Sequence, residues 1–177
     1  MKTRLFIGID LNDEIKSYLF DLQKSLDLRA KIKWVAKKNL HLTLKFLGDV
    51  EDVESVIELL NKVKFESFNL RLKSLEVFDE SIPKVLYVSI EPSDKVINLQ
   101  SVIEDSLISL FERDKRFSVH LTFGRIKTFE NKALLIENIS EFKIKSLILT
   151  VNSFCLFKSV LSKDGSRYTK LKEFKLT

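Results

Sequence analysis

Both histidines of this chain open the same tripeptide, His41-Leu42-Thr43 and His120-Leu121-Thr122, once in each half. Two matched imidazoles, one neutral and one protonated, suit acid–base cleavage of a phosphodiester. The neutral ring takes a proton from attacking water, and the charged ring gives one to the departing oxygen. In a strand, residues i and i+2 point to the same side. His41 and Thr43 then share one face, with Leu40, Leu42, Leu44 and Phe46 opposite. His120 and Thr122 likewise oppose Val119, Leu121 and Phe123. If two such faces meet across a cleft, two imidazoles and two hydroxyls surround one small anion. The hydroxyls of Thr43 and Thr122 can then hold the non-bridging oxygens and keep phosphorus in line.

A lone histidine in a strand is more often a satisfied, half-buried residue than a catalyst. Recurrence of the whole setting is what points to chemistry. Two histidines fall short of the three protein ligands a catalytic zinc usually has. No His/Asp/Glu cluster has ligand spacing, and no Gly-rich phosphate loop appears. The sequence therefore predicts neither a metal nor a cofactor.

The elements that would position these residues follow from periodicity. Leu5 to Asp10 reads as a strand with Leu5, Ile7 and Ile9 on one face. Asn12 can cap a helix from Asp13 carrying Ile15, Leu19, Leu22 and Leu26. A short strand over Ile32 to Val35 and the basic loop Lys37-Lys38-Asn39 lead to the first His-x-Thr strand, Leu40 to Leu47. A second helix carries Val53, Val56, Ile57, Leu60 and Val63. Strands are predicted around Phe68 to Leu72 and over Lys84 to Glu91, then the longest helix, Val96 to Phe111. The second His-x-Thr strand spans Val119 to Ile126. A short helix near Asn131 to Ile139, one long strand from Lys145 to Phe157 and a closing strand from Tyr168 to Leu176 complete the chain. Strand, helix, His-x-Thr strand and helix thus occur twice at similar spacing. The expected fold is α+β and bilobal, a pseudo-twofold duplication. Two mostly antiparallel sheets face a central cleft, with helices packed outside, in a single two-lobed domain over 1–177.

Hydrophobic residues make up 45% of the 177, enough for a substantial interior. The net charge of +5 is compatible with a polyanionic partner, and equally with a well-solvated surface. A single cysteine, Cys155, sits in the apolar run Phe154-Cys155-Leu156-Phe157. It excludes an intramolecular disulfide, reads as a buried structural thiol and suits a reducing cytoplasm. No apolar stretch approaches the roughly 20 residues of a membrane span, and no secretory signal is evident.

These motifs resemble the two-histidine (2H) phosphoesterases, specifically the RNA 2′,3′-cyclic phosphodiesterase (LigT-like, 2′-5′ RNA ligase) family. Arg4 to Asp10 looks like that family's first strand. Trp34-Val35 followed by Asn39-Leu40-His41-Leu42-Thr43-Leu44-Lys45-Phe46-Leu47-Gly48 is similar to its first signature. Val119-His120-Leu121-Thr122-Phe123-Gly124-Arg125 resembles the second, with Val119 where the family has proline. The stretch from Leu161-Ser162 through Gly165 to Tyr168 fits its closing pattern. The resemblance implies metal-independent hydrolysis of an RNA 2′,3′-cyclic phosphate to a 2′-phosphomonoester, with His41 as proton donor and His120 as acceptor. It also implies a possible reverse reaction, 2′-5′ joining of RNA ends.

Two further residues are candidates for the phosphate. Lys45 lies four after His41, although an ordinary surface lysine reads equally well. Arg125 is five after His120, so regular alternation points it away, unless a bulge at Gly124 re-aims it. Phe6 and Trp34 are candidate stacking surfaces for a base, with core packing the better reading for both. Lysines 31, 33, 37 and 38 can hold an RNA backbone or form a solvated loop. The expected partner is RNA with a cyclic phosphate end, with no membrane and no obligate protein partner, bound by a monomer. The alternatives are a cyclic phosphodiesterase acting on a small nucleotide such as ADP-ribose cyclic phosphate, and a non-catalytic RNA- or nucleotide-binding module.

Overall fold

A computed structural model describes residues 2–163 and 165–177. Strand β1 (Thr3–Asp10) sends Leu5, Ile7 and Ile9 into the main core, as alternation requires. Helix α1 (Asp13–Ser25) starts where the Asn12 side chain accepts the Ile15 N–H at 2.9 Å. It buries Ile15, Leu19 and Leu22. Then come β2 (Ala30–Trp34), a 3-10 turn (Lys37–Asn39), β3 (His41–Val50) and α2 (Val53–Leu60). The second half contains β4 (Phe68–Val77), β5 (Val85–Glu91), α3 (Ser93–Leu107), β6 (Leu121–Phe129), α4 (Lys132–Glu141), β7 (Ile148–Val151), β8 (Ser153–Ser162) and β9 (Gly165–Lys175).

The strands form two sheets, ordered β3-β1-β8-β9 and β2-β6-β5-β4-β7. Every pairing is antiparallel. The fold is α+β. In each half the strand of the His-x-Thr segment lies beside the strand that opens the repeat, β3 beside β1 and β6 beside β5, although β6 starts at Leu121 rather than Val119 and His120 immediately precedes it. The inner faces of both sheets and the apolar stripes of all four helices share one continuous core. A second, smaller cluster on the opposite side of the first sheet joins Phe6, Cys155 and Phe157, with Tyr168 against it.

The apolar run from Lys145 to Phe157 is two strands, not one. β7 ends at Val151 in the second sheet, and β8 starts at Ser153 in the first, so the chain changes sheets at Asn152. Apolar period continues on both sides of the break, which is why the sequence showed none. Within β8, Phe154 and Leu156 enter the main core while Cys155 and Phe157 enter the small cluster. That two-sided burial explains four consecutive apolar residues. It also pushes the Cys155 thiol pKa up to about 11, as befits a structural thiol.

Candidate active site

Two bulges at matched positions set the geometry of the cleft. Gly8 stands opposite Thr43 and Ile7 opposite Lys45, so β3 carries an extra residue there, Leu44; a second, Leu47, falls between Phe46 opposite Phe6 and Gly48 opposite Leu5. Tyr87 stands opposite Thr122 and Leu86 opposite Gly124, so β6 carries one extra residue, Phe123. In both strands the first extra residue is third after the histidine. A bulge of this kind reverses the facing of the residues beyond it. The fourth residue after each histidine, Lys45 or Gly124, turns inward and is buried. The fifth, Phe46 or Arg125, turns out to the cleft.

Arg125 is therefore re-aimed as a bulge at Gly124 would require. Gly124 allows it: a Cβ there would stand 2.6 Å from Ile32 Cγ2 and 3.0 Å from Trp34 Cε3. Two expectations for β3 are corrected by the same device. Lys45 does not face the cleft; it is 2% exposed and points inward with Leu42 and Leu44. Its ammonium donates to both oxygens of Glu104 (3.0 and 2.9 Å), to the Glu112 carbonyl at 2.9 Å and to Asp114 at 3.2 Å. Phe46, placed on the apolar back by simple alternation, is 70% exposed and lines the cleft.

His41 is half-buried against the rings of Phe6 (4.8 Å) and Tyr168 (5.3 Å). Its Nδ1 lies 2.6 Å from the carbonyl of Asn39. His120 repeats this, with Nδ1 2.8 Å from the carbonyl of Ser118. A carbonyl only accepts, so each Nδ1 carries a hydrogen and each Nε2 is the nitrogen left for chemistry. Nε2 of His41 lies 2.9 Å from the Thr43 hydroxyl. His120 packs edge-on against Phe78 (4.6 Å) and Tyr87 (5.9 Å). The Tyr87 hydroxyl donates to Glu76 at 2.8 Å, which fixes the ring, and burial followed by that carboxylate raises its pKa to about 12.

Burial lowers the pKa of His41. The Asn39 carbonyl and the Asp10 carboxylate oppose that shift, while Lys16 and His120 reinforce it. Asp10 pairs with His41 in the strand register and is held by Lys16 (2.6 Å) and Lys170 (2.9 Å). Gly8 lets the histidine strand approach, because a Cβ there would meet the Leu42 carbonyl oxygen at 2.8 Å and His41 Cδ2 at 3.3 Å.

A cavity of about 670 Å³ lies between the sheets. The first sheet contributes His41, Thr43 and Phe46 to its wall, and the second contributes Thr122 and Arg125. His120, two residues before Thr122, is not among the lining residues, and a positive charge on it lowers the pKa of His41. Five cations line the walls: Lys33, Lys38, Arg125, Lys127 and Arg167. None has an ion-pair partner among the described residues. No carboxylate is among the described lining residues. A cavity so lined attracts an anion strongly. Of the lysines before His41, Lys33 and Lys38 reach the cavity, whereas Lys37 donates to the Ser17 hydroxyl at 2.9 Å. Trp34 lines the cavity while packing on Phe123 at 5.1 Å, and Phe6 is fully buried. No three His, Cys, Asp or Glu side chains cluster as metal ligands among the described residues.

Sequence reasoning missed Asp10, the Asn39 and Ser118 carbonyls, Lys127, Arg167 and Phe46. One signal was available: Asn39 and Ser118 both stand two residues before a histidine.

The model of the LigT-like phosphoesterases matches residues 9–87. An RNA 2′,3′-cyclic phosphodiesterase of Methanocaldococcus jannaschii is 30% identical, across 97% of this chain and 99% of that protein. One of Thermotoga maritima is 32% identical, across 96% and 94%. The chain belongs to the LigT-like phosphoesterase family. Crystal structures of TT0787 of Thermus thermophilus and of Escherichia coli LigT superpose on this phosphoesterase with TM-scores of 0.81 and 0.77. Each is 25% identical; the first covers 97% of both chains, the second 100% of this chain and 99% of its own. The phosphoesterase has no helix long and apolar enough to cross a membrane among the described residues.

Proposed function

We propose that this phosphoesterase hydrolyses the 2′,3′-cyclic phosphate at an RNA end to a 2′-phosphomonoester by acid–base catalysis between His41 and His120, without a metal. One observation carries the reading. The His-x-Thr segments of two different sheets bring His41, Thr43 and Thr122 to a cavity whose cations have no ion-pair partner, and whose wall has no carboxylate, among the described residues. The activity by which the two relatives are named supports it.

The cyclic phosphate sits with its non-bridging oxygens on the hydroxyls of Thr43 and Thr122 and on the Arg125 guanidinium. Nε2 of neutral His120 takes a proton from water as the water oxygen bonds to phosphorus. The bond from phosphorus to O3′ breaks, and O3′ takes the proton from Nε2 of protonated His41. The phosphate remains on O2′. His120 ends protonated and His41 neutral, and exchange with solvent resets the pair. The donor and acceptor assignments come from the family resemblance. The lowered pKa of His41 favours its neutral form in the free protein. The bound phosphate anion restores the proton that the donor role needs. With a 5′-hydroxyl in place of water, the same steps form a 2′-5′ bond. The working unit in this reading is a single two-lobed chain in the cytoplasm.

Five cations line the cavity, more than the three phosphates of ADP-ribose cyclic phosphate, which favours an RNA strand with several backbone phosphates. A short RNA with a cyclic phosphate end, incubated with the protein in excess chelator, tests the proposal. The expected product is the 2′-phosphate. Binding without turnover, turnover abolished by the chelator, or release of the 3′-phosphate would each reject it.

A further inference from the structure

Four polar or charged side chains are buried among the described residues: Gln23, Lys45, Gln100 and Glu104. They are not scattered. Helix α1 buries Ile15, Leu19, Leu22 and Gln23, and α3 buries Val96, Gln100, Ile103 and Glu104 at the same steps along the helix. Gln23 and Glu104 therefore occupy the same place in the two halves. Each reaches across to the bulged strand of the other half. Glu104 holds Lys45, the residue after the extra Leu44 of β3. Gln23 holds the extra residue of β6 itself. Its Nε2 donates to the Val35 carbonyl at 2.9 Å and to the Phe123 carbonyl at 3.4 Å. The Phe123 carbonyl also accepts the Val35 N–H, at 3.1 Å.

An amide is costly to bury unless its hydrogen bonds are made. This one sits where regular pairing lapses: β2 ends at Trp34, and Phe123 has no opposite residue on β5. A side-chain donor at that point stands in for ladder bonds and stabilises the bulge over the in-register alternative. The alternative has a specific consequence. Without the extra residue, alternation would turn Arg125 away from the cavity. Gln23 is not among the residues lining the cavity, so it acts only through the strand.

We propose that Gln23 is a positioning residue, which holds the Phe123 bulge and through it aims Arg125 at the substrate phosphate. This rests on the reading of the cleft as a phosphodiesterase site in which Arg125 binds that phosphate.

A double-mutant cycle with Arg125→Ala tests it. Gln23→Met keeps the shape and removes the donor. Gln23→Asn, a smaller change in polarity, draws the amide one carbon short of the carbonyls. With Arg125 present, each Gln23 variant should lower kcat/KM for a cyclic-phosphate RNA roughly tenfold, the scale of one hydrogen bond to a charged group. In the Arg125→Ala background the same substitutions should change it by about twofold or less. Gln100→Met makes the same exchange at a buried glutamine that donates to Glu104 instead of β6. Any loss it causes should be the same in both backgrounds. Wild-type kcat/KM in both Gln23 variants, equal losses from them in both backgrounds, or coupling as strong from Gln100 would overturn the proposal, because a general loosening of the fold does not depend on Arg125. The same cycle read in the Kd for inorganic phosphate needs no turnover. Absence of hydrolysis by the wild type would reject the phosphodiesterase reading, and the phosphate cycle would still decide the role of Gln23.

Discussion

The Lys45 ammonium of β3 is sealed against the Glu104 carboxylate of α3, both almost fully buried. Glu104 also accepts from Gln100 at 2.8 Å and from the Asp114 N–H at 3.1 Å. The strand that carries His41 is thereby tied to the segment that leads from α3 to His120. The charge that first reads as a phosphate contact instead fastens the two halves. Removing one partner leaves a buried charge unpaired, so Lys45→Met should destabilise the protein by about 3–5 kcal/mol in urea unfolding. Lys45→Met combined with Glu104→Leu should recover most of that loss. A single variant as stable as wild type would show the pair contributes nothing.

The histidine substitutions probe chemistry rather than folding. His41→Ala and His120→Ala should each lower kcat by about 10²–10⁴-fold, the contribution of one general acid or base. Single-turnover hydrolysis of a cyclic-phosphate RNA measures this, and circular dichroism checks the fold. Full activity in either variant would remove that residue from the mechanism.

The environment of His41 makes a signed prediction about pH. Burial disfavours the imidazolium, so a ring titration by NMR should fall below the ordinary histidine value. Asp10 opposes that shift and is itself paired with Lys16 and Lys170. Asp10→Asn removes the carboxylate and frees both ammonium groups. Loss of the carboxylate and the unpaired Lys16 ammonium both disfavour the imidazolium, so the His41 midpoint should move further down. An upward movement would contradict the electrostatic account.

Cleft cations with no ion-pair partner among the described residues predict a salt-dependent KM. Single-stranded binding loses about 0.7 in the logarithmic salt slope for each phosphate contact removed. Lys33→Ala and Lys127→Ala should each raise KM for an oligonucleotide and flatten its slope, with kcat preserved. Lys37→Ala, at a lysine that reaches Ser17 instead of the cavity, should leave the slope unchanged. A slope equal to wild type in both cleft variants would place the RNA strand elsewhere.

Much of this site follows from alternation alone. His41 and Thr43 do share a face, as do Leu5, Ile7 and Ile9. Alternation fails where a strand carries an extra residue. Nothing in Thr43-Leu44-Lys45-Phe46 marks a bulge, and the error there inverted the facing of both Lys45 and Phe46. In β6 the glycine at 124 flagged the same irregularity, because a side chain there would strike Ile32 and Trp34. Long-range pairings stayed hidden for another reason. The partner of Lys45 is 59 residues away on α3, and local sequence carries no record of it. The change of sheet at Asn152 left the apolar period intact, so it too was invisible.

Gly8 offers the sharpest test of how closely the first histidine is held. It faces Thr43 across the β1–β3 ladder, and a Cβ there would stand 2.8 Å from the backbone oxygen of Leu42 and 3.3 Å from the His41 ring. Backbone oxygen cannot swing aside as a flexible side chain can, so β3 must move. Overpacking of this kind costs about 1–3 kcal/mol, which should appear as a lower unfolding midpoint. Displacement of β3 would also lengthen the contact between His41 Nε2 and the Thr43 hydroxyl, now 2.9 Å. Gly8→Ala should therefore lose kcat by tenfold or more, on the order of what a 1 Å misplacement costs. Gly48→Ala is the matched control. Gly48 sits on the same strand at φ 72° with open space around it, so its strain is local and distant from the ring. If both glycine variants lost stability alike but kept wild-type kcat, the close approach at Gly8 would have no part in placing the histidine.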